Sequence, residues 1–160
     1  MERFLIVDDH PLFREALENS VRLAVSDVEI LEAATIDEAL ATLSSKEIDL
    51  TILDLSLPGT TGLSGLVRIR KAFPRSPVVV VSCHEDPQII ASTLSLGVSG
   101  YVPKSTSKEE LVRSIDIVLG GSIYLPGSYR MIGRAAPSYG PAQELLKRIN
   151  CLTVQQVRVL

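Results

Sequence analysis

Short apolar runs and amphipathic stretches alternate five times within the first 120 residues, and few folds accept that order. The apolar runs are Phe4-Leu5-Ile6-Val7, Val28 to Ala33, Leu50 to Asp54, Pro77 to Ser82 and Gly100-Tyr101-Val102. Continuous apolar runs bounded by turn residues read as strands covered on both faces, as in parallel sheets. Helices are expected between them. The first opens at Pro11 and runs to about Val25, with Phe13, Ala16, Leu17, Val21 and Ala24 at helical spacing. Thr35…Glu38 and Ser107…Glu110 are capping boxes for the second and fifth. The third carries Leu63, Leu66, Val67 and Ile69 and stops before Pro74. The fourth starts at Asp86-Pro87 and is closed by Gly97. Short connections of this kind are right-handed crossovers, which build a doubly wound α/β fold on a parallel sheet. Five strands suggest the flavodoxin-like order 2-1-3-4-5, with the site at the ends of the first and third strands.

Those two ends carry Asp8-Asp9 and Asp54. An Asp at a strand tip is often only a turn or cap residue, and Asp8 could simply cap the first helix. Three carboxylates converging on one sheet edge are different, because they repel one another unless a positive charge neutralises them. Mg²⁺ answers that need, since it takes oxygen ligands from one or two carboxylates together with water and phosphate oxygens. The fourth strand ends in the hydroxyl of Ser82, and the fifth is followed by Lys104. A carboxylate nucleophile, a metal, a hydroxyl donor and a cation together suit phosphoryl transfer.

Composition narrows the class. No run approaches the roughly 18 apolar residues of a membrane span, and no signal peptide opens the chain, so no membrane partner is expected and the protein reads as cytoplasmic. Cys83 and Cys151 fit no metal or redox spacing and read as free thiols. Residues 1–120 hold 11 Lys and Arg against 18 Asp and Glu, while residues 121–160 hold 5 against 1. An acidic body followed by a basic tail implies two parts with different partners.

Four segments carry a resemblance: Ile6-Val7-Asp8-Asp9-His10-Pro11-Leu12, Leu53-Asp54-Leu55-Ser56-Leu57-Pro58-Gly59, Ser82, and Gly97-Val98-Ser99-Gly100-Tyr101-Val102-Pro103-Lys104. In this order the chain resembles two-component response regulators of the NarL/FixJ (LuxR-type) family, over residues 3–120 and more weakly to Leu160. The resemblance implies a flavodoxin-like (CheY-like) receiver domain over residues 1–120. Asp54 would accept a phosphoryl group from a sensor histidine kinase. Asp8, Asp9, Asp54 and the main-chain carbonyl of Ser56 would serve Mg²⁺, with Asp8 acting mainly through water. Lys104 would hold a phosphoryl oxygen, Ser82 would swing toward the new phosphate, and Tyr101 would rotate inward. Ser82, Tyr101 and Lys104 also have plain readings as a polar strand end, an edge-strand aromatic and a surface charge. His84 either tunes phosphoryl hydrolysis or is an ordinary loop histidine.

Residues 121–150 are rich in Gly, Pro and Ser at their start and read as a linker. Residues 151–160 contain Leu152-Thr153…Gln156 and resemble the first helix of a LuxR-type helix-turn-helix domain. A helix-turn-helix needs a second helix in the major groove, so these residues are expected to be a truncated output domain. DNA would be bound only through the complete C-terminal domain, and phosphorylation would change homodimerisation. Two rival readings stand beside this one. A Mg²⁺-dependent aspartyl-phosphate phosphatase of the haloacid-dehalogenase type usually has a second Asp two residues after the nucleophile, where this chain has Ser56. A receiver acting by protein contact without phosphorylation is the other.

Overall fold

The computed structural model describes residues 1–127 and 129. Its elements run β1 (Glu2–Val7), α1 (Pro11–Ala24), β2 (Val28–Ala33), α2 (Ile36–Ser45), β3 (Leu50–Asp54), α3 (Ser64–Ala72), β4 (Val78–Ser82), α4 (Pro87–Ser95), β5 (Gly100–Pro103) and α5 (Lys108–Leu119). The strands form one parallel sheet in the order β2-β1-β3-β4-β5, as the alternation of runs predicts. The expected output helix over residues 151–160 and most of the expected linker lie outside the described residues.

Each strand sends alternate side chains to opposite faces, and both faces are covered. Phe4, Ile6, Leu50, Ile52, Val79, Val81 and Val102 pack with Leu17 and Val21 of α1 and with Leu111, Ile115 and Val118 of α5. Leu5, Val7, Leu53, Val78, Val80 and Tyr101 pack on the other side with α2, α3 and α4. All five residues of β3 and of β4 are buried, which explains why those runs read as unbroken. Each such aliphatic side chain contributes about 1.5–3 kcal/mol on burial.

Local chemistry sets the helix ends. Thr35 Oγ1 accepts from the Glu38 N–H at 3.1 Å, while Glu38 Oε2 accepts from the Ala34 N–H at 2.8 Å, so the first capping box closes one residue early. Asp86 accepts from the Gln88 N–H at 2.8 Å ahead of Pro87. Gly97 ends the α4 segment at a φ of 81°, a conformation that favours glycine. The second capping box is half made. Ser107 accepts from the Glu110 N–H at 3.2 Å, but Glu110 Oε1 accepts from the Tyr124 hydroxyl at 3.0 Å instead of turning back.

That contact belongs to a short docked stretch after α5. Tyr124 is 3% exposed and forms a parallel bridge to Gly100. Its N–H donates to the Ser99 carbonyl at 3.0 Å, and its carbonyl accepts from the Tyr101 N–H at 3.1 Å. A Cβ on Gly100 would meet Tyr124 Cβ at 3.1 Å, so glycine is what permits this close approach. The start of the segment read as linker therefore lies along β5.

Candidate functional site

The residues that could do chemistry gather at the C-terminal edge of the sheet. Asp8 follows β1 and still donates its N–H to the Ala33 carbonyl at 3.0 Å, so its backbone is fixed by β2. Asp54 is the last residue of β3, and Val7 and Leu53 are register partners, which puts both carboxylates at the same level. Asp8 is 1% exposed and Asp54 is 3% exposed. Lys104 follows β5, with its N–H on the Ser82 carbonyl at 2.8 Å. From there its ammonium reaches Asp8 Oδ2 at 3.1 Å and Asp54 Oδ2 at 3.2 Å. The Phe13 ring of α1 lies 4.5 Å from Lys104 Nζ, a cation–π distance. Burial pushes the Lys104 pKa down, but Asp8 and Asp54 outweigh it and the net shift is upward.

One ammonium against three carboxylates leaves the site short of positive charge. Asp8 Oδ1 accepts from the His10 N–H at 2.7 Å, and Asp54 Oδ1 accepts from the Ser56 N–H at 3.0 Å. Asp9 Oδ1 is sealed from solvent and receives no hydrogen bond, and Asp8 Oδ2, equally sealed, meets only the Lys104 ammonium. Buried carboxylate oxygens without donors are costly unless a cation meets them. Ligand atoms of Asp8, Asp9, His10 and Asp54 all lie within 4.8 Å of one another. This is a donor set that fits a hard divalent cation.

The tips of β4 and β5 are built differently. Ser82 is fully buried, and its hydroxyl accepts from the His84 N–H at 3.1 Å. Tyr101 is also fully buried, and its hydroxyl donates to the His84 carbonyl at 2.6 Å. Burial raises the Tyr101 pKa, with a bond to Ser82 offsetting part of that shift. His84 thus joins the two through its backbone while the residue itself is exposed. Tyr101, expected to rotate inward on activation, already lies inward in this structure.

The sequence matches the description "Response regulator receiver domain" over residues 4–116. The chain belongs to that family. The receiver is 38% identical to the "Glycerol metabolism activator" of Pseudomonas putida, an alignment covering 100% of this chain and 74% of that protein. It is 30% identical to the "Probable transcriptional regulatory protein NarL" of Mycobacterium tuberculosis, covering 93% of this chain and 74% of that one. Among solved structures, a LuxR family DNA-binding response regulator from Silicibacter pomeroyi matches at a TM-score of 0.72 and 33% identity, over 81% of this chain and 100% of that one. The protein is therefore a receiver domain of the NarL/LuxR-type transcriptional response regulators, a signalling family. None of its described helices is long and apolar enough to cross a membrane.

The receiver brings Asp8, Asp9, Asp54 and Lys104 together as the sequence reading anticipates, and it sets Ser82 and Tyr101 beside them. Ser56 is exposed and meets Asp54 through its N–H. Two neighbours escaped the sequence reading. Phe13 counts there only as a helix-face residue, yet it also supports Lys104. His10 enters that reading as part of a motif and as the residue before a helix-starting proline, with no role of its own, yet its Nδ1 makes a 3.1 Å hydrogen bond with Asp8 Oδ1 and lies 3.2 Å from Asp9 Oδ1. The available signal was its adjacency to two acidic residues.

Proposed function

We propose that this receiver takes a phosphoryl group on Asp54 from a phosphohistidine of a sensor histidine kinase, and that the modification switches a C-terminal DNA-binding domain. The observation that supports this most is Lys104 Nζ between Asp8 Oδ2 and Asp54 Oδ2, beside the sealed Asp9 Oδ1, which receives no hydrogen bond. An oxygen of the Asp54 carboxylate attacks phosphorus, forming a P–O bond as the P–N bond to the kinase imidazole breaks and that ring leaves with the electron pair. The Lys104 ammonium pairs with a phosphoryl oxygen once Asp54 carries the acyl phosphate. Asp9, Asp54 and the Ser56 carbonyl would hold Mg²⁺, with Asp8 acting mainly through water, and the ion when bound would neutralise the carboxylates and the incoming phosphoryl oxygens.

The new group carries about −1.5 to −2 charge at one point. The Ser82 hydroxyl turns from the His84 N–H toward it, loosening the loop that also holds Tyr101. Tyr101 shares a backbone bond with Tyr124, so the movement reaches the segment that follows α5. DNA binding through a C-terminal domain and a phosphorylation-dependent homodimer are part of the same proposal. Incubation with Mg²⁺ and acetyl phosphate is expected to add one phosphoryl mass to the intact protein. Asp54→Asn should add none, and equal gain by that variant would sink the proposal.

A further inference from the structure

We propose that Phe13 is a positioning residue for phosphoryl transfer, its π face holding the Lys104 ammonium at the level of the carboxylates. The inference rests on the Asp54 reading above and adds to it a residue and the means by which the ammonium is kept in place.

The ammonium has few partners and an exit. Lys104 Nζ donates to Asp54 Oδ2 at 3.2 Å and lies 3.1 Å from Asp8 Oδ2. The centroid of the Phe13 ring is 4.5 Å from the same nitrogen. That is inside the roughly 6 Å over which a ring face attracts a cation. Only 13% of the Lys104 side chain is exposed, so little water screens the attraction. Phe13 and Lys104 both border a hollow of about 340 Å³ that Ala16, Asn19, Thr106 and Lys108 also line. The hollow gives a long, flexible side chain room to carry its charge out to water. The ring stands beside that route.

Local structure puts the ring there. Phe13 lies in the first turn of α1, just after the helix-starting Pro11. It packs against the buried cluster that includes Ile6, Leu17 and Val102. The segment that carries Asp8 and Asp9 runs straight into this turn, so one stretch of chain presents both the carboxylates and the ring. Lys104 is anchored separately, with its N–H on the Ser82 carbonyl at 2.8 Å.

A π face suits the task. On transfer the ammonium must leave Asp54 Oδ2 for an oxygen of the phosphoryl group. A further carboxylate would compete with that oxygen, and water would let the side chain drift. The ring attracts the charge without demanding the direction of any one N–H, so the ammonium can turn while keeping its place. Holding it there raises the fraction of molecules ready for attack, and with it the rate.

The test separates the ring's charge distribution from its bulk. Phosphorylation of the whole chain by acetyl phosphate with Mg²⁺ is followed by intact mass. Wild type is compared with Phe13→Leu and with chains whose Phe13 alone carries one, two or three ring fluorines. Fluorine drains the π face while hardly changing the ring's shape. The rate is expected to fall with each fluorine, by on the order of fivefold at the third, and at least as far in Phe13→Leu. A rate that stays flat across the fluorine series, even with a loss in Phe13→Leu, would assign the ring to packing alone and overturn the inference while leaving the Asp54 reading intact. A wild type that gains no phosphoryl mass would remove that reading, and this inference with it.

Discussion

At the tips of β1 and β3, three carboxylates face one ammonium group, whereas at the tips of β4 and β5 a buried phenol ring is held by backbone groups and a hydroxyl. The first region is short of positive charge: Lys104 is shared between Asp8 and Asp54, and the sealed Asp9 Oδ1 receives no hydrogen bond. The second is saturated, since the Tyr101 hydroxyl, the Ser82 hydroxyl and the Tyr101 N–H all have partners. One therefore responds to charge brought from outside, and the other responds to rearrangement of bonds it already has. A signalling domain needs both. The edge that senses must be incomplete, and the face that transmits must be ordered enough for a change to matter.

Substitutions should separate the two regions, beginning with the ring. Tyr101→Ala empties a fully buried site among Leu53, Val80 and Ile90. It is expected to cost about 3–5 kcal/mol in urea unfolding. A loss comparable to that of an exposed residue would mean that the ring is not structural. At the acidic tips the expected effect runs through the ion. Mg²⁺ at 100 times its dissociation constant should stabilise wild type by about 2.7 kcal/mol. Asp9→Asn should melt higher than wild type in chelator, because one like charge is gone, and should gain almost nothing from Mg²⁺. If Asp9→Asn gained as much as wild type, Asp9 would not be a ligand.

Smaller effects sharpen the contrast. Tyr101→Phe keeps the ring and loses only the bond to the His84 carbonyl, at about 1 kcal/mol. Alkali should then weaken both regions in the same direction. Tyr101 and Lys104 have folded pKa values above their ordinary 10.0 and 10.5. Their contributions are complete below those values and are lost as pH rises through the raised ones, because the unfolded chain releases its protons first. Unfolding measured from pH 9 to 12 should show stability falling above about pH 10, less steeply in Tyr101→Phe. Identical slopes would show that Tyr101 plays no part in it.

Most of the sheet was legible in the sequence because its strands are buried on both faces, and such strands announce themselves as unbroken aliphatic runs. Thr35 and Asp86 were legible for a similar reason, since a cap acts over two or three residues. What escaped depends on partners distant in sequence or on side-chain direction. Glu110 looks like the second half of a capping box, but its partner is Tyr124, 14 residues on, in a stretch whose composition reads as linker. That docking exists because Gly100 has no Cβ to block it, a fact visible only with both strands in place. At the site, Asp8, Asp9, Asp54 and Lys104 follow from strand order alone. His10 did not, because Pro11 after it made helix initiation a sufficient explanation.

The most direct measurement traps the phosphoryl group where it forms. After treatment with acetyl phosphate and Mg²⁺, reduction by borohydride converts an aspartyl phosphate to homoserine, and peptide mass spectrometry locates it. The expected result is homoserine at position 54 alone, absent when Mg²⁺ is chelated. Homoserine at position 8 or 9, or none at any position in protein whose intact mass shows phosphoryl addition, would contradict Asp54 as the acceptor.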